Sequence, residues 1–348
     1  MAALSRLLVV DLASTSRNWA IPDWGVRAVR EAVPPGWRVE VVGAPAISDG
    51  DGGAPPSREA LGVVPEAEAY FGFGLARPLF LAAPRLRWVH SAAAGVAGLL
   101  FPELVRSDVV LTNSAGIMAV PIAEHVIGGI IHLLRSFDVA IALQREGRWE
   151  KAPFVGDRAR MRELAECRAL VVGTGGIGRA VGERLAALGA RSVVGVRRRV
   201  ELGAPAGFER VVPAAGLDAE LPAADVVVLA TPLTGETSRL MTAERLDRLP
   251  PDAIVVNVAR GALLDEGALA ERVASGRLRG AVLDVFEEEP LASSSPLWQL
   301  PQILLTPHVS AVSPARFWER ELSLFLENWR RYDAGAPLRN VVDKVAGY

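Results

Sequence analysis

Between an apolar run, Ala169–Val172, and a helical stretch opening near Gly178, the chain reads Gly173-Thr174-Gly175-Gly176-Ile177-Gly178. A glycine pattern placed between a strand and a helix has a specific use in parallel α/β sheets. Gly173 permits the tight turn, Gly175 removes the Cβ that would keep backbone away from a pyrophosphate, and Gly178 lets helix and strand pack closely. The helix N-terminus beyond it presents unpaired N–H groups and positive potential to phosphate. The competing reading is a purely structural turn.

The surroundings fit such a sheet. From residue 168 onward short β-branched runs alternate with helical segments. Strands are expected at Ala169–Val172, Ser192–Val196, Asp225–Ala230, Ala253–Val258, Ala281–Phe286 and Ile303–Thr306, each apolar nearly throughout, as strands buried on both faces should be. Helices are expected near Gly178–Leu188, Thr242–Leu249 and Asp265–Ser275. The first 110 residues show a looser alternation, with strands near Leu7–Val10, Val39–Val42, Ala69–Gly72, Trp88–Ser91 and Val109–Leu111. A last helix, Pro314–Tyr332, carries Phe317, Leu322, Phe325, Leu326 and Trp329 at helical spacing. At 348 residues the chain suits two α/β lobes.

Composition narrows the function. Half the residues are hydrophobic and 22% are charged, with a net charge of -2, so packed cores are expected and no broad footprint for nucleic acid appears. The apolar stretch Ala115–Leu134 is interrupted by Pro121, Glu124, His125 and His132, which makes a membrane span costly and a buried interface helix the better reading. The run Leu7–Val10, stopped by Asp11, reads as a first strand and not as a signal peptide. A single cysteine, Cys167, forms no intrachain disulfide and favours a reducing, cytoplasmic compartment. Ser48–Ser57, rich in Gly, Pro and Asp, reads as a surface loop.

The strand after the glycine turn ends at Gly195-Val196, where an NAD enzyme usually places an acidic residue for the ribose 2′-hydroxyl. Here it is followed by Arg197-Arg198-Arg199. Guanidinium groups can grip a 2′-phosphate with bidentate, charge-assisted hydrogen bonds, which points to NADP and leaves NAD as the second choice. The competing reading is a solvated arginine run.

Further along, Arg260 follows the strand Ala253–Val258, Asp284 and Glu289 follow Ala281–Phe286, and His308 follows Ile303–Thr306. Arginine, carboxylate and histidine thus leave successive strands on one rim, where ligands of such folds lie. Carbonyl reduction needs such groups. Hydride arriving at carbon leaves charge on oxygen, so a proton donor titrating near neutrality is required, and a carboxylate can orient the imidazole that supplies it. An arginine can clamp a substrate carboxylate and polarise the keto oxygen. The four histidines show no metal-ligand spacing, and His90, His125 and His132 read as structural or peripheral. Glu287 and Glu288 read as solvent-facing.

With these residues in view, the chain resembles the D-isomer-specific 2-hydroxyacid dehydrogenases, and within them the glyoxylate and hydroxypyruvate reductase-like members. The resemblance covers nearly the whole chain: Ser91–Val96, Thr112–Gly116 with Pro121–Glu124, the glycine loop, Thr231–Thr234, the Arg260 segment, Leu283–Leu291, Leu305–His308 and Asn340–Tyr348. It implies that Arg260 binds substrate, that His308 is the acid/base, and that Glu289 is its partner. It implies Asp284 near the nicotinamide, backbone N–H groups of Ala94 and Gly95 on the substrate carboxylate, and Ile177, Thr231, Pro232, Thr237 and Val258 lining the cofactor site.

The same resemblance implies two Rossmann-like domains with doubly wound parallel sheets. A discontinuous substrate-binding domain, 1–113 and 310–348, would carry an inserted cofactor domain, 114–309. It also implies a homodimer formed through the helix after Pro121 and the arm Phe137–Trp149, with a buried intrachain helix as the alternative. The ending at Tyr348 argues against the long phosphoglycerate dehydrogenases, and Glu289 argues against formate dehydrogenases. The expected activity is NADPH-dependent reduction of a small 2-oxo acid to the (D)-2-hydroxy acid. The rival is a dinucleotide-sensing corepressor on the same fold. Apolar residues at Tyr70–Leu75 and Leu99–Phe101 suggest a substrate pocket tolerant of hydrophobic groups.

Overall fold

The computed structural model describes residues 6–45, 56–157 and 159–347. Most of the loop Ser48–Ser57, at 48–55, and Tyr348 lie outside the described residues. The chain divides into two compact units, residues 1–117 with 313–348, and residues 118–312.

The first unit holds a five-stranded parallel sheet of β1 (Arg6–Asp11), β2 (Trp37–Val41), β3 (Ala69–Gly72), β4 (Trp88–Ser91) and β5 (Val110–Asn113), ordered β2-β1-β3-β4-β5. The last helix runs Phe317–Asp333 and starts three residues later than expected from Pro314. Its apolar stripe lies on this sheet: Phe325 stacks on Phe71 at 3.9 Å between centroids and on Trp88 at 5.7 Å. Beneath the stripe is a polar contact that spacing alone did not reveal. The buried His90 bonds Thr112 Oγ1 through Nδ1 at 2.7 Å and Glu321 through Nε2 at 3.2 Å.

Tyr70, Phe71, Phe73, Leu75 and Leu99, expected to line a pocket, are all buried, and Tyr70, Leu75 and Leu99 belong to this unit's core. The Tyr70 hydroxyl donates to Asp11 Oδ2 at 2.6 Å. Burial pushes the Asp11 carboxyl up, and burial followed by the Asp11 charge holds the Tyr70 phenol well above its ordinary range.

In the second unit seven strands form one parallel sheet: β6 (Arg168–Val172), β7 (Ser192–Val196), β8 (Arg210–Val212), β9 (Val226–Leu229), β10 (Ile254–Asn257), β11 (Gly280–Leu283) and β12 (Ile303–Leu305), ordered β12-β11-β10-β9-β6-β7-β8. Period two divides each central strand between two cores. Leu170, Val172, Val227, Leu229 and Val255 join one face, while Val171, Val226, Val228, Ile254 and Val256 join the other.

Edge strand β8 escapes the sequence pattern because it is only three residues long, with Arg210 exposed and Val211 and Val212 half-buried. Conversely Asp284–Phe286, expected to continue a strand, is a buried loop. Apolar character reports burial and does not distinguish a ladder from a packed turn.

The helix Ala119–Leu134 covers the second face, burying Ile122, Val126, Ile130 and Leu133. Pro121 sits in its first turn, where an N–H has no helical acceptor. A Cβ on Gly129 would lie 2.7 Å from the Val282 methyl groups, so helix and β11 touch at van der Waals distance. At Ser136, which takes a left-handed φ of 53°, the chain bends by 71° into the helix Phe137–Arg145. Among the described residues no single helix is long and apolar enough to cross a membrane.

Candidate active site

The carboxyl edge of the seven-stranded sheet gathers the residues that the sequence singles out in this unit. β6 runs into Gly173, whose φ of +95° suits only glycine; a Cβ there would strike Ala230 and lie 2.8 Å from Thr231 N. Gly178 has its Cβ direction filled by the Gly173 carbonyl and by Val171 Cγ1 at 3.1 Å, so turn and helix touch through backbone. Gly175 is different: no heavy atom stands within 4 Å of where its Cβ would be. The Gly176–Ala187 helix begins there with no side-chain cap, leaving its first N–H groups for a ligand. Thr174 Oγ1 is buried and has no partner among the described residues. An open glycine face, an uncapped helix start and an unused hydroxyl fit a pyrophosphate.

Around this turn, Ile177 packs at the edge of the core and Val258 is buried in it. Thr237 Oγ1 donates to Pro232 O at 2.7 Å and accepts from Thr234 N at 2.7 Å, which pins the Thr231–Thr237 loop. Arg197 follows β7, where its backbone N–H bonds Val212 O on β8 and its Nη1 donates to Gly203 O at 3.0 Å. Arg198 and Arg199 are exposed beside it.

Three adjacent strands supply the rest. Register aligns Asn257 of β10 with Leu283 of β11 and Leu305 of β12. Asn257 is buried; its Nδ2 donates to Arg260 O at 2.9 Å and its Oδ1 accepts from Ala259 N at 3.2 Å, shaping the turn that carries Arg260. Arg260 Nη1 donates to Ala259 O at 2.7 Å. Gly261 then packs directly on the backbone of Phe286 and Glu287, so this turn touches the loop that bears Glu289.

Glu289 holds the imidazole. Its Oε2 is 2.8 Å from His308 Nδ1 and its Oε1 accepts from Phe286 N at 3.0 Å, with the two side chains 36% and 48% exposed. His308 itself takes a left-handed φ of 53°. Asp284, expected beside the cofactor, is buried and turns its carboxylate to its own rim: Oδ1 accepts from Thr306 Oγ1 at 2.6 Å and Val309 N at 2.9 Å, and Oδ2 from Ser310 N at 2.9 Å. Glu287 and Glu288 are exposed. Glu266 Oε1 accepts from Glu287 N at 2.6 Å. Burial pushes the Glu266 carboxyl up, against the pull of that N–H and helped by the Glu287 and Glu289 charges.

Asn257, Thr306 and Glu266 are the residues that sequence reasoning missed. The available signal for Asn257 was a polar residue ending an otherwise apolar strand.

In the first unit, Ala94 and Gly95 lie in the turn after β4, where Asn113 Nδ2 donates to Ala94 O at 2.7 Å. That bond turns the carbonyl into the fold and leaves the Ala94 and Gly95 N–H groups donating to no described residue.

A glycine turn open to phosphate and an imidazole–carboxylate pair on one parallel sheet edge define the dinucleotide-binding α/β oxidoreductases. Residues 127–310 match the D-isomer specific 2-hydroxyacid dehydrogenase NAD binding domain. Glyoxylate/hydroxypyruvate reductase A of Salmonella newport is 32% identical over 276 residues, 77% of this chain and 84% of that protein. A D-isomer specific 2-hydroxyacid dehydrogenase from Xanthobacter autotrophicus, solved with NADPH and MES, shares 32% identity and superposes with a TM-score of 0.77 over 99% of this chain and 100% of that one. The NADPH-dependent glyoxylate/hydroxypyruvate reductase of Sinorhizobium meliloti, solved with NADP and sulfate, gives 30% identity and a TM-score of 0.75 over 99% and 100%. The chain belongs to the D-isomer specific 2-hydroxyacid dehydrogenase family. These relatives are reductases and dehydrogenases, and none of them favours the corepressor reading.

Proposed function

We propose that this protein reduces the keto group of a small 2-oxo acid to the (D)-2-hydroxy acid with NADPH. The observation that carries the reading is the 2.8 Å contact between His308 Nδ1 and Glu289 Oε2 on the sheet edge that also bears the uncapped glycine turn.

Gly173, Gly175, Gly176 and Gly178 would receive the pyrophosphate, with Ile177, Thr231, Pro232, Thr237 and Val258 around the rest of the dinucleotide, while the buried Asp284 shapes the loop behind the nicotinamide. The nicotinamide, when bound, supplies the hydride. Arg197 and Arg198 hold the 2′-phosphate, a reading supported by the NADPH and NADP bound in the two solved relatives. Glu289 fixes the His308 ring so that Nε2 faces the substrate, and the Nε2 proton passes to the keto oxygen as it gains charge. Arg260 clamps the substrate carboxylate and polarises that oxygen. In the first unit the Ala94 and Gly95 amides are the donors assigned to substrate.

Residues 1–113 with 310–348 thus act as the substrate-binding domain and 114–309 as the cofactor domain. The names of the Salmonella and Sinorhizobium relatives make glyoxylate and hydroxypyruvate the first substrates to test, before bulkier 2-oxo acids. A homodimer is supported by the exposed apolar side chains of Phe137, Ile141 and Trp149 on the arm Phe137–Trp149. A reduced Cys167 favours the cytoplasm.

The test is to follow NADPH and NADH oxidation with a panel of 2-oxo acids of increasing size. Turnover is expected with NADPH in preference to NADH, and reduced by ~100-fold or more in His308→Ala and in Arg260→Ala. No turnover with any 2-oxo acid would refute the activity, and near-normal rates in either variant would refute its assigned residue.

A further inference from the structure

His125 has no place in the scheme above, yet it touches the one hydroxyl that braces the proton donor. We infer that His125 is a positioning residue for His308, acting through Thr306 and Asp284. The inference rests on the reading of His308 as proton donor.

Hydrogen-bond direction can be assigned along the chain of contacts. The Thr306 hydroxyl has one hydrogen, and at 2.6 Å from Asp284 Oδ1 it donates that hydrogen to the carboxylate. Toward His125 Nε2, 3.2 Å away, it can therefore only accept, so Nε2 carries hydrogen. The sequence runs His125 Nε2–H to Thr306 Oγ1–H to Asp284 Oδ1.

Asp284 in turn gathers the whole His308 turn. Its carboxylate accepts from Val309 N and Ser310 N, both at 2.9 Å, and its carbonyl accepts from His308 N at 2.9 Å. Three successive backbone donors are thus held by one residue.

That bracing is needed because His308 sits at φ 53°, a conformation a non-glycine residue keeps only where its surroundings over-determine it. His125 can serve as a fixed donor because its helix is seated on the sheet, with Ile122 and Val126 buried and Gly129 against Val282. Without the imidazole the Thr306 hydroxyl loses a partner and is free to turn toward a backbone carbonyl instead. The Asp284 clamp then loosens, and with it the aim of His308 Nε2.

The experiment combines amide hydrogen exchange of residues 306–312 in the ligand-free protein with steady-state rates. In His125→Ala, exchange at Val309 and Ser310 should quicken, and kcat should fall roughly 10- to 100-fold, the range for misplacement of a reacting group, with the KM for NADPH unchanged. His125→Gln, whose amide can donate from a similar position, should recover most of both. Thr306→Val should match His125→Ala, Thr306→Ser should behave as wild type, and the double variant His125→Ala/Thr306→Val should be no worse than either single one.

Unchanged exchange in His125→Ala overturns the inference. So does a glutamine variant no better than alanine, or a double variant whose loss is the product of the two. Should the wild type turn over no 2-oxo acid, the functional reading fails, while the exchange data still decide whether His125 braces the turn.

Discussion

Replacing Gly178 by alanine sets two effects against each other. In a helix interior alanine is favoured over glycine by ~1 kcal/mol, so propensity alone foresees a more stable protein. Geometry says the reverse. The new methyl would land on the Gly173 carbonyl, 2.9 Å from its carbon and 3.1 Å from Val171 Cγ1, where carbon contacts need about 3.5 Å. The obstacle is backbone held by the glycine turn and cannot rotate away.

Overpacking of this kind costs ~1–3 kcal/mol and here sits at the upper end, leaving a net loss of about 2 kcal/mol after the propensity gain. At ~2–4 °C per kcal/mol for a domain of this size, the melting temperature should drop by about 4–8 °C.

Gly175→Ala is the control. Its φ of -73° and ψ of -160° suit alanine, and no atom lies within 4 Å of the new methyl, so it should melt within ~0.5 kcal/mol of wild type. It should nonetheless weaken NADPH binding tenfold or more, about 1.4 kcal/mol, because the methyl occupies the space proposed for the pyrophosphate. Thermal melts without nucleotide and titration of NADPH fluorescence read the two effects. A Gly178→Ala protein as stable as wild type, or a Gly175→Ala protein with normal affinity, would refute the respective half of the reasoning.

Arg279 and Asp138 form a bidentate ion pair at 2.7 and 3.0 Å with side chains only 5% and 3% exposed, so Asp138→Ala should cost ~3–5 kcal/mol by stranding a buried guanidinium. The double variant Asp138→Leu/Arg279→Met should recover most of that in a thermal melt; equal instability of the single and double variants would show that charge burial is not the cause. Burial pushes the Cys167 thiol up from 9.0 to about 11. Its folded value lies above the unfolded one, so its contribution to stability is present in full below pH 9.0 and is lost as pH rises through about 11. Iodoacetamide at pH 8 should therefore label Cys167 only as the protein unfolds, and rapid labelling of the native protein, seen by mass spectrometry, would contradict its burial.

Features with a local cause were legible in the residues alone. Glycines spaced for a turn, apolar runs of period two and an acidic cap before a helix act within a few residues of one another. The 173–178 turn, the strands of both sheets other than β8 and the Asp265 cap are therefore readable from sequence, and Asp265 does accept from Ala268 N at 2.9 Å. So is the placing of Arg260, Glu289 and His308 beyond strand ends, because a strand's last residue fixes where its loop begins.

Other features depend on partners far apart in the chain. His125 and Thr306 are 181 residues apart, and His90 and Glu321 are 231. No periodicity encodes which polar side chains meet across such distances. Tyr70, Leu75 and Leu99 read as pocket in the sequence but belong to the core, because apolar character records a preference for leaving water and is silent on what covers it. Sequence alone determined the sheet, its glycine turn and the rim from which the reactive groups arise. Tertiary structure alone decided that Asp284 serves its own loop, that Asn257 shapes the Arg260 turn, and that a histidine on a covering helix meets Thr306 beside that loop. The reason is physical: a hydrogen bond needs two atoms within about 3 Å, and folding is what brings them there.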